Sequence, residues 1–240
     1  MPNKFVCART ILIGLSVGLV ACSSGSTQSA AEMQKLVELQ AHLAKVERAV
    51  DVAKAASDIR RLQRTYGYYL DKGLADDLAD LFSKDATAQY SKGGVHIGRD
   101  NIRRAMHYLG PNNNLIEGRM NTHTQLQGVV HVAPDSKTAK ARWRILAMTA
   151  NYGERASWGE GPYEVEYANE DGVWKIKKLV WYGVVSGALY EGGWTKKRPP
   201  VVRKPGSTPQ GNAPTTIPDL KFYPDVYLPP YHYKNPVTGK

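Results

Sequence analysis

The stretch TYGYYLDKG, residues 65–73, sets three tyrosines ahead of an aspartate, with a glycine close behind. Gly73 marks the end of a helix, since glycine is the usual residue just past a helix C-terminus. Asp71 then stands near the negative end of the helix dipole, where an acid is disfavoured. Its carboxylate is either solvated or has a partner elsewhere in the fold. Two other residue types could work with it. Histidine is the general base whose ordinary pKa lies nearest neutrality. A tyrosine hydroxyl can polarise a carbonyl or phenol oxygen and stabilise an enolate or phenolate. A carboxylate bonded to an imidazole fixes its tautomer and stabilises the imidazolium formed on proton uptake. Such a set can eliminate water, move a double bond or break a carbon–carbon bond by a retro-aldol route, and it calls for no metal or cofactor. The chain has no HExxH or other metal-ligand spacing, serine elbow, P-loop or dinucleotide fingerprint.

The elements that must position these residues are legible from hydrophobic period. Residues 30–57 read as a helix in which Leu36, Leu39, Leu43, Val46, Val50 and Ala53 alternate by three and four, the seam of a coiled coil. An amphipathic helix lying on its own domain would use the same stripe. Ser57-Asp58 offers an N-cap for a second helix carrying Ile59, Leu62, Tyr66, Tyr69 and Leu70. Residues 74–83 form a short helix, DATAQY and VHI flank SKGG as a hairpin, and Asp100 is a cap for the helix NIRRAMHYL. Strands follow: NTHTQLQGVVHVA, TAKARWRILAMTANY, GPYEVEYA and VWKIKKLVWYGVV, the last three a meander of antiparallel hairpins. Tyr163, Val165 and Tyr167 share one face; Trp174, Ile176, Lys178, Val180 and Tyr182 are expected to share another, and Arg142 and Arg144 to face the pocket and bind a carboxylate, to face a subunit contact or, the favoured reading, to face solvent. Helices followed by a meander give an α+β arrangement with helices on one face of an antiparallel sheet.

The ends carry different signals. Lys4 and Arg9 precede an apolar run from Ile11 to Val20 that is too short to span a bilayer, the pattern of a secretory leader over residues 1–21. Leu19-Val20-Ala21-Cys22 resembles a bacterial lipobox, with Cys22 as the lipidated first residue of an exported protein facing the periplasm. Ser23 after the cysteine favours the outer membrane. Cys7 and Cys22 are the two cysteines of the chain, so a mature form has no disulfide to rely on. The net charge is +10, but residues 195–240 hold eight basic and two acidic residues and ten of the fourteen prolines, so the folded part is nearly balanced. No nucleic-acid motif is present, and the basic tail is read as a solvated segment or one that touches anionic envelope surfaces. Within it residues 203–216 read as a linker, and Phe222, Tyr223, Tyr227, Tyr231 and Tyr233 are expected to dock on this subunit or a neighbour. The domain plan is therefore a leader (1–21), a tether and helix (22–56), a folded domain (57–194) and a Pro-rich tail (195–240).

DIRRLQRTYGYYLDKGLADDLADLFSKDA, GRDNI, THTQLQGVV and YEVEY…DGVWKIKKL together resemble the SnoaL-like branch of the nuclear transport factor 2-like superfamily over about residues 57–185. The resemblance implies a cone-shaped α+β barrel, a curved antiparallel sheet wrapped around helices and enclosing an apolar pocket. Within the branch the chain is similar to scytalone dehydratase and bile-acid 7α-dehydratase, cofactor-free lyases built on an Asp–His pair with pocket tyrosines. Carried over by motif, the pair is Asp71 and His123, and the helix tyrosine is Tyr66. Tyr68, three residues before Asp71, would lie nearer its face on a regular helix than Tyr66, which is roughly 140° out of phase. Tyr69, Gln127, Trp143 and Tyr163 are the candidate substrate contacts, with Gln127 standing where the family often has asparagine. No metal or cofactor is implied, and a homo-oligomer, a trimer by the dehydratase likeness, is. The C-terminal YPDVYLPPYHYKNPVTG looks like that of SnoaL-like proteins from bacteria degrading aromatic compounds, which points to a hydroxylated aromatic or polycyclic substrate, with formaldehyde loss from lignin-derived diarylpropane diols as a specific candidate. The other functional class is a lipid-anchored module that binds an apolar ligand or protein partner in the same cone without turnover.

Overall fold

The computed structural model describes residues 26–152, 155–187, 210–221, 230 and 232–233. The leader, Cys22, Phe222, Tyr223, Tyr227 and Tyr231 lie outside them. Two compact units are distinguished, Met1–Val46 and Glu47–Lys240. The element order is α1 (Ser26–Lys72), α2 (Ala75–Asp80), β1 (Phe82–Tyr90), β2 (Val95–Ile97), α3 (Arg99–Met106), β3 (Arg119–Val132), β4 (Thr138–Asn151), β5 (Arg155–Glu170), β6 (Val173–Trp181) and β7 (Val185–Gly187). Among the described residues no helix is long and apolar enough to cross a membrane.

The two helices expected over 30–57 and from 58 onward are one. Ser57 and Asp58 do not cap; Asp58 instead pairs with Lys54 and Arg61 at 2.8 Å each, one turn on either side. Such pairs at i,i+3 and i,i+4 support a continuing helix, and no glycine or proline interrupts residues 26–66. Likewise α3 is capped by Gly98, with Asp100 in its first turn bonded to Arg103.

The strands form a mixed sheet in the order β2-β1-β6-β5-β4-β3, with β7 paired to β5. It corrects two expectations. The path does not close on itself, so the sheet is an open, curved wrap and not a barrel. The sheet is not wholly antiparallel either: β1 and β6 run parallel, Phe82 opposite Ile176 and Tyr90 opposite Trp181. The meander β3–β4–β5–β6 is antiparallel throughout.

Ile59, Tyr66 and Leu70 on α1 pack with Leu78, Phe82, Ile102, Ile145, Tyr163, Val165, Tyr167, Ile176 and Leu179, most of them fully buried. One strand departs from simple alternation. The β5–β6 register shifts between Glu166 and Tyr167, so that Tyr167 faces Ile176 while Glu166 faces Lys178. The bulge lets the adjacent Lys177 and Lys178 both reach solvent and moves the inward phase from Trp174 and Ile176 to Leu179 and Trp181. Val180 and Tyr182, expected with Ile176, instead lie on the outer face, where they pack with Ile217 and Leu220.

That contact places part of the C-terminal segment on the sheet. Residues 210–216, read as linker, are held in place: Ala213 bridges Val95, and Gln89 bonds Thr215 and Thr216 at 2.7 Å. Farther along, His232 Nδ1 lies 2.8 Å from Glu164, and its Nε2 lies 3.1 Å from His131 Nδ1. Tyr233, one of the residues expected to dock, stacks with both histidines.

His96 on β2 is buried beside Tyr90, and burial lowers its pKa. The folded state therefore binds this proton less readily than the unfolded chain. Its contribution to stability is complete above the ordinary histidine value of about 6.5 and is lost as pH falls through the lowered folded value. Urea unfolding at pH 7 and pH 5 is expected to show a fall in stability, and His96→Asn a shallower one. Equal slopes in the two proteins would exclude His96 as a source.

Candidate active site

α1 ends where the sequence places its end. Leu74 N–H donates to the Tyr69 carbonyl at 3.0 Å and Gly73 N–H to that of Leu70 at 3.3 Å, with Gly73 at φ +64°, a Schellman closure. A side chain at Gly73 would also press on Gly110 and Leu115, both about 3.1 Å from a Cβ there. The last turn is then tied to β3 by two bonds. Asn121 Nδ2 donates to the Leu70 carbonyl at 2.8 Å, a second and shorter bond to the acceptor that Gly73 N–H reaches at 3.3 Å. The His123 backbone N–H donates to Asp71 Oδ1 at 2.6 Å.

The second bond explains the acid at the negative end of a helix. Among the described residues β3 pairs only with β4, as an edge of the sheet, and alternate amides on an edge have no ladder partner. The His123 amide finds one in Asp71, a charge-assisted bond of the stronger kind. The same Oδ1 lies 3.7 Å from His123 Nδ1, beyond hydrogen-bonding distance. That ring nitrogen is buried and has no hydrogen-bond partner. A small rotation of the imidazole would bring Nδ1 within bonding distance of Asp71 and leave Nε2 for another partner.

Buried phenols adjoin the pair. Tyr66 is fully buried; its hydroxyl is 3.3 Å from that of Tyr90, and its ring meets Tyr163 edge-on at 6.1 Å. Burial pushes the Tyr90 hydroxyl up to about 12 and raises Tyr66 and Tyr163 well above the ordinary tyrosine value. The neighbouring Tyr90, which cannot ionise together with it, and the Asp71 carboxylate contribute further to the rise at Tyr163. All three therefore stay protonated near neutrality and serve as hydrogen-bond donors, not bases. Tyr68, the alternative to Tyr66 by helix phase, is 72% exposed.

The remaining candidates are dispersed. Tyr69 is half-buried with Leu74, Leu78, Met106 and Leu109 at the helix end. Trp143 is buried against Gly128, where any side chain would collide with its ring. Its Nε1–H donates to the Tyr167 hydroxyl at 3.0 Å, which donates in turn to Gln63 Oε1 at 2.6 Å. Gln127 sits exposed at φ +46° on a β-bulge between Leu126 and Val129 and does not join the group.

Gln125 takes the inward position instead, two residues from His123 on the same face of β3. It accepts from Gln63 Nε2 at 2.7 Å, while its own Nε2 is buried without a partner. Neither glutamine was singled out from the sequence. Gln63 was legible as the polar member of the buried stripe Ile59, Gln63, Tyr66, Leu70. By two-residue alternation Gln125 and Gln127 would both share the face of His123, and the bulge removes Gln127 from it.

Arg142 and Arg144 lie on the opposite face. Arg142 pairs with Glu164 and donates to the Pro230 carbonyl at 2.9 Å, so it is engaged by the C-terminal segment and not solvated as expected; Arg144 is more exposed and lies 3.7 Å from Glu160. A cavity of about 170 Å³ opens on this outer face, lined among others by Lys140, Glu164, Lys178, Tyr182 and His232. Among the described residues no three His, Cys, Asp or Glu side chains are grouped to hold a metal ion.

The fold has solved counterparts. A Novosphingobium aromaticivorans protein provisionally named scytalone dehydratase is 22% identical, with a TM-score of 0.52 covering 65% of this chain and 99% of that one. A type 2 hexachlorocyclohexane dehydrochlorinase is 18% identical, with a TM-score of 0.51 covering 64% and 99%. At these identities the likeness is one of fold. No curated protein matches the sequence. A family model of the SnoaL-like domain matches residues 51–180, more than half of the chain, and the protein therefore belongs to the SnoaL-like branch of the nuclear transport factor 2-like superfamily.

Proposed function

We propose that the protein is a cofactor-independent lyase acting on a hydroxylated aromatic or polycyclic small molecule, with His123 as the general base and Asp71 as its orienting carboxylate. The observation that carries this reading is the juxtaposition of the Asp71 carboxylate with a buried, unpartnered imidazole nitrogen 3.7 Å away. In a dehydration, His123 takes a proton from the carbon next to a carbonyl, the C–H pair becomes the new double bond, the C–O bond breaks, and the imidazolium returns its proton to the departing hydroxyl, which leaves as water. Tyr66 and Tyr163, kept neutral by burial, suit stabilisation of the enolate or phenolate oxygen. The unpartnered Gln125 amide suits a substrate oxygen, a role first assigned to Gln127. With a 1,3-diol the same base takes the proton of the primary hydroxyl: the O–H pair becomes the C=O of formaldehyde, the C–C pair becomes the new double bond, and the second hydroxyl leaves with that proton as water.

The test follows growth of a conjugated ultraviolet chromophore with phenolic β-hydroxy and 1,3-diol substrates, including diarylpropane diols. Turnover by the purified protein that His123→Ala abolishes is the expected result. A second reading is a non-catalytic binding module, favoured by the outer-face cavity beside the docked C-terminal residues. Saturable binding of an apolar ligand with no turnover, indifferent to His123→Ala, would establish that reading and reject the lyase.

The lipobox reading supplies a location: an exported protein anchored through Cys22 and facing the periplasm. Membrane retention lost in Cys22→Ser is the expected outcome; retention unchanged would reject the anchor.

A further inference from the structure

α1 carries two apolar stripes on different faces. The C-terminal one, through Ala55, Ile59, Tyr66 and Leu70, is buried in the core. The N-terminal one, Leu36, Leu39, Leu43, Val46 and Val50, is between 52% and 59% exposed, and it ends at the exposed Ala53. Val50 and Ile59 are nine residues apart, which at about 100° per residue sets them on opposite sides of the helix. The exposed stripe is therefore a separate surface and not an extension of the core-facing one. Leucine and valine at strict three–four spacing on a continuous helix are what a partner helix with the same period packs into, knobs into holes.

We infer that this stripe is a self-association surface on which a second copy of the chain packs, parallel and in register. Leu36, Leu43 and Val50 fall at the a positions of the heptad, and Leu39, Val46 and Ala53 at d. The flanking g positions are then Lys35, His42 and Ala49, and the e positions Gln40, Glu47 and Lys54. In a parallel pair each g faces the partner's e five residues on. The facing pairs are Lys35 with Gln40, His42 with Glu47, and Ala49 with Lys54. None opposes like charges, and Lys54 is already bonded to Asp58 of its own helix. The seam spans 18 residues, about 27 Å of helix, short of the three to four heptads that mark a sustained coiled coil. Association through it is accordingly weak and reversible. The inference is independent of the catalytic reading.

Sedimentation velocity of the full chain in a density-matched nonionic detergent, at less than one chain per micelle, tests it. The wild-type protein is expected to show concentration-dependent self-association, weakened at least tenfold in Leu39→Glu/Leu43→Glu. Helix content by circular dichroism should not change, because both positions are exposed. Ala41→Glu, on the opposite face of the helix, should associate as the wild type does. A second measurement uses a chain with Cys7 and Cys22 replaced by serine. Leu43→Cys in that background should form an inter-chain disulfide under mild oxidation, and Ala41→Cys should not. A monomeric wild type, undiminished association in the double glutamate variant, or cross-linking of Ala41→Cys as fast as Leu43→Cys would each overturn the inference.

Discussion

His123→Ala is expected to lower turnover by about 10²- to 10⁴-fold, the usual contribution of a positioned general base, with a stability loss of about 1–3 kcal/mol from the space its largely buried ring vacates. The ring nitrogen facing Asp71 makes no hydrogen bond, and the backbone amide that holds Asp71 remains. Asp71→Asn separates two roles that the geometry superimposes. An asparagine oxygen can still accept the His123 amide, so the tie between α1 and β3 survives in weakened, uncharged form. What is lost is the carboxylate that stabilises an imidazolium. If Asp71 is a member of the reacting pair, the rate falls by orders of magnitude while unfolding changes by only about 1 kcal/mol, the scale on which charged and neutral hydrogen bonds differ. If Asp71 serves only to satisfy an edge-strand amide, stability falls and the rate does not. Steady-state kinetics beside chemical denaturation of the same preparations distinguishes the two.

The largest expected loss of stability from deleting a single atom lies at Tyr167. Its hydroxyl accepts from Trp143 Nε1 and donates to Gln63 Oε1, and all three residues are buried. Tyr167→Phe keeps the ring and its packing but leaves a buried donor and a buried acceptor facing a hydrogen atom. Each unsatisfied group costs about 1–3 kcal/mol, so the expected destabilisation is about 2–6 kcal/mol, read as a lowered midpoint in urea. The effect should carry to the site, because Gln63 holds Gln125 at 2.7 Å and Gln125 stands beside His123 on β3. A loss under about 1 kcal/mol would mean that Gln63 and Trp143 find other partners.

The sequence by itself determined the local elements and the residue types of the site. Three–four spacing marked α1, and Gly73 marked its end, because only a residue tolerant of positive φ closes a helix in that way. Two-residue alternation marked β4 and β5 and placed Tyr163, Val165 and Tyr167 on the inner face, where they are buried. The odd position of Asp71 was legible as a demand for a partner.

The tertiary structure decided what depends on contacts distant in sequence. Parallel pairing of β1 with β6 joins strands about ninety residues apart, and no local pattern encodes it. Side chains in a strand alternate with period two, so one inserted residue reverses every inward assignment beyond it. The bulge beside Lys177 exchanged Val180 for Leu179 in the core, and the bulge at Gln127 left Gln125 as the inward glutamine. The partner of Asp71 was likewise settled by the fold: a backbone amide, free because β3 is an edge strand, with the imidazole held just out of bonding reach beside it.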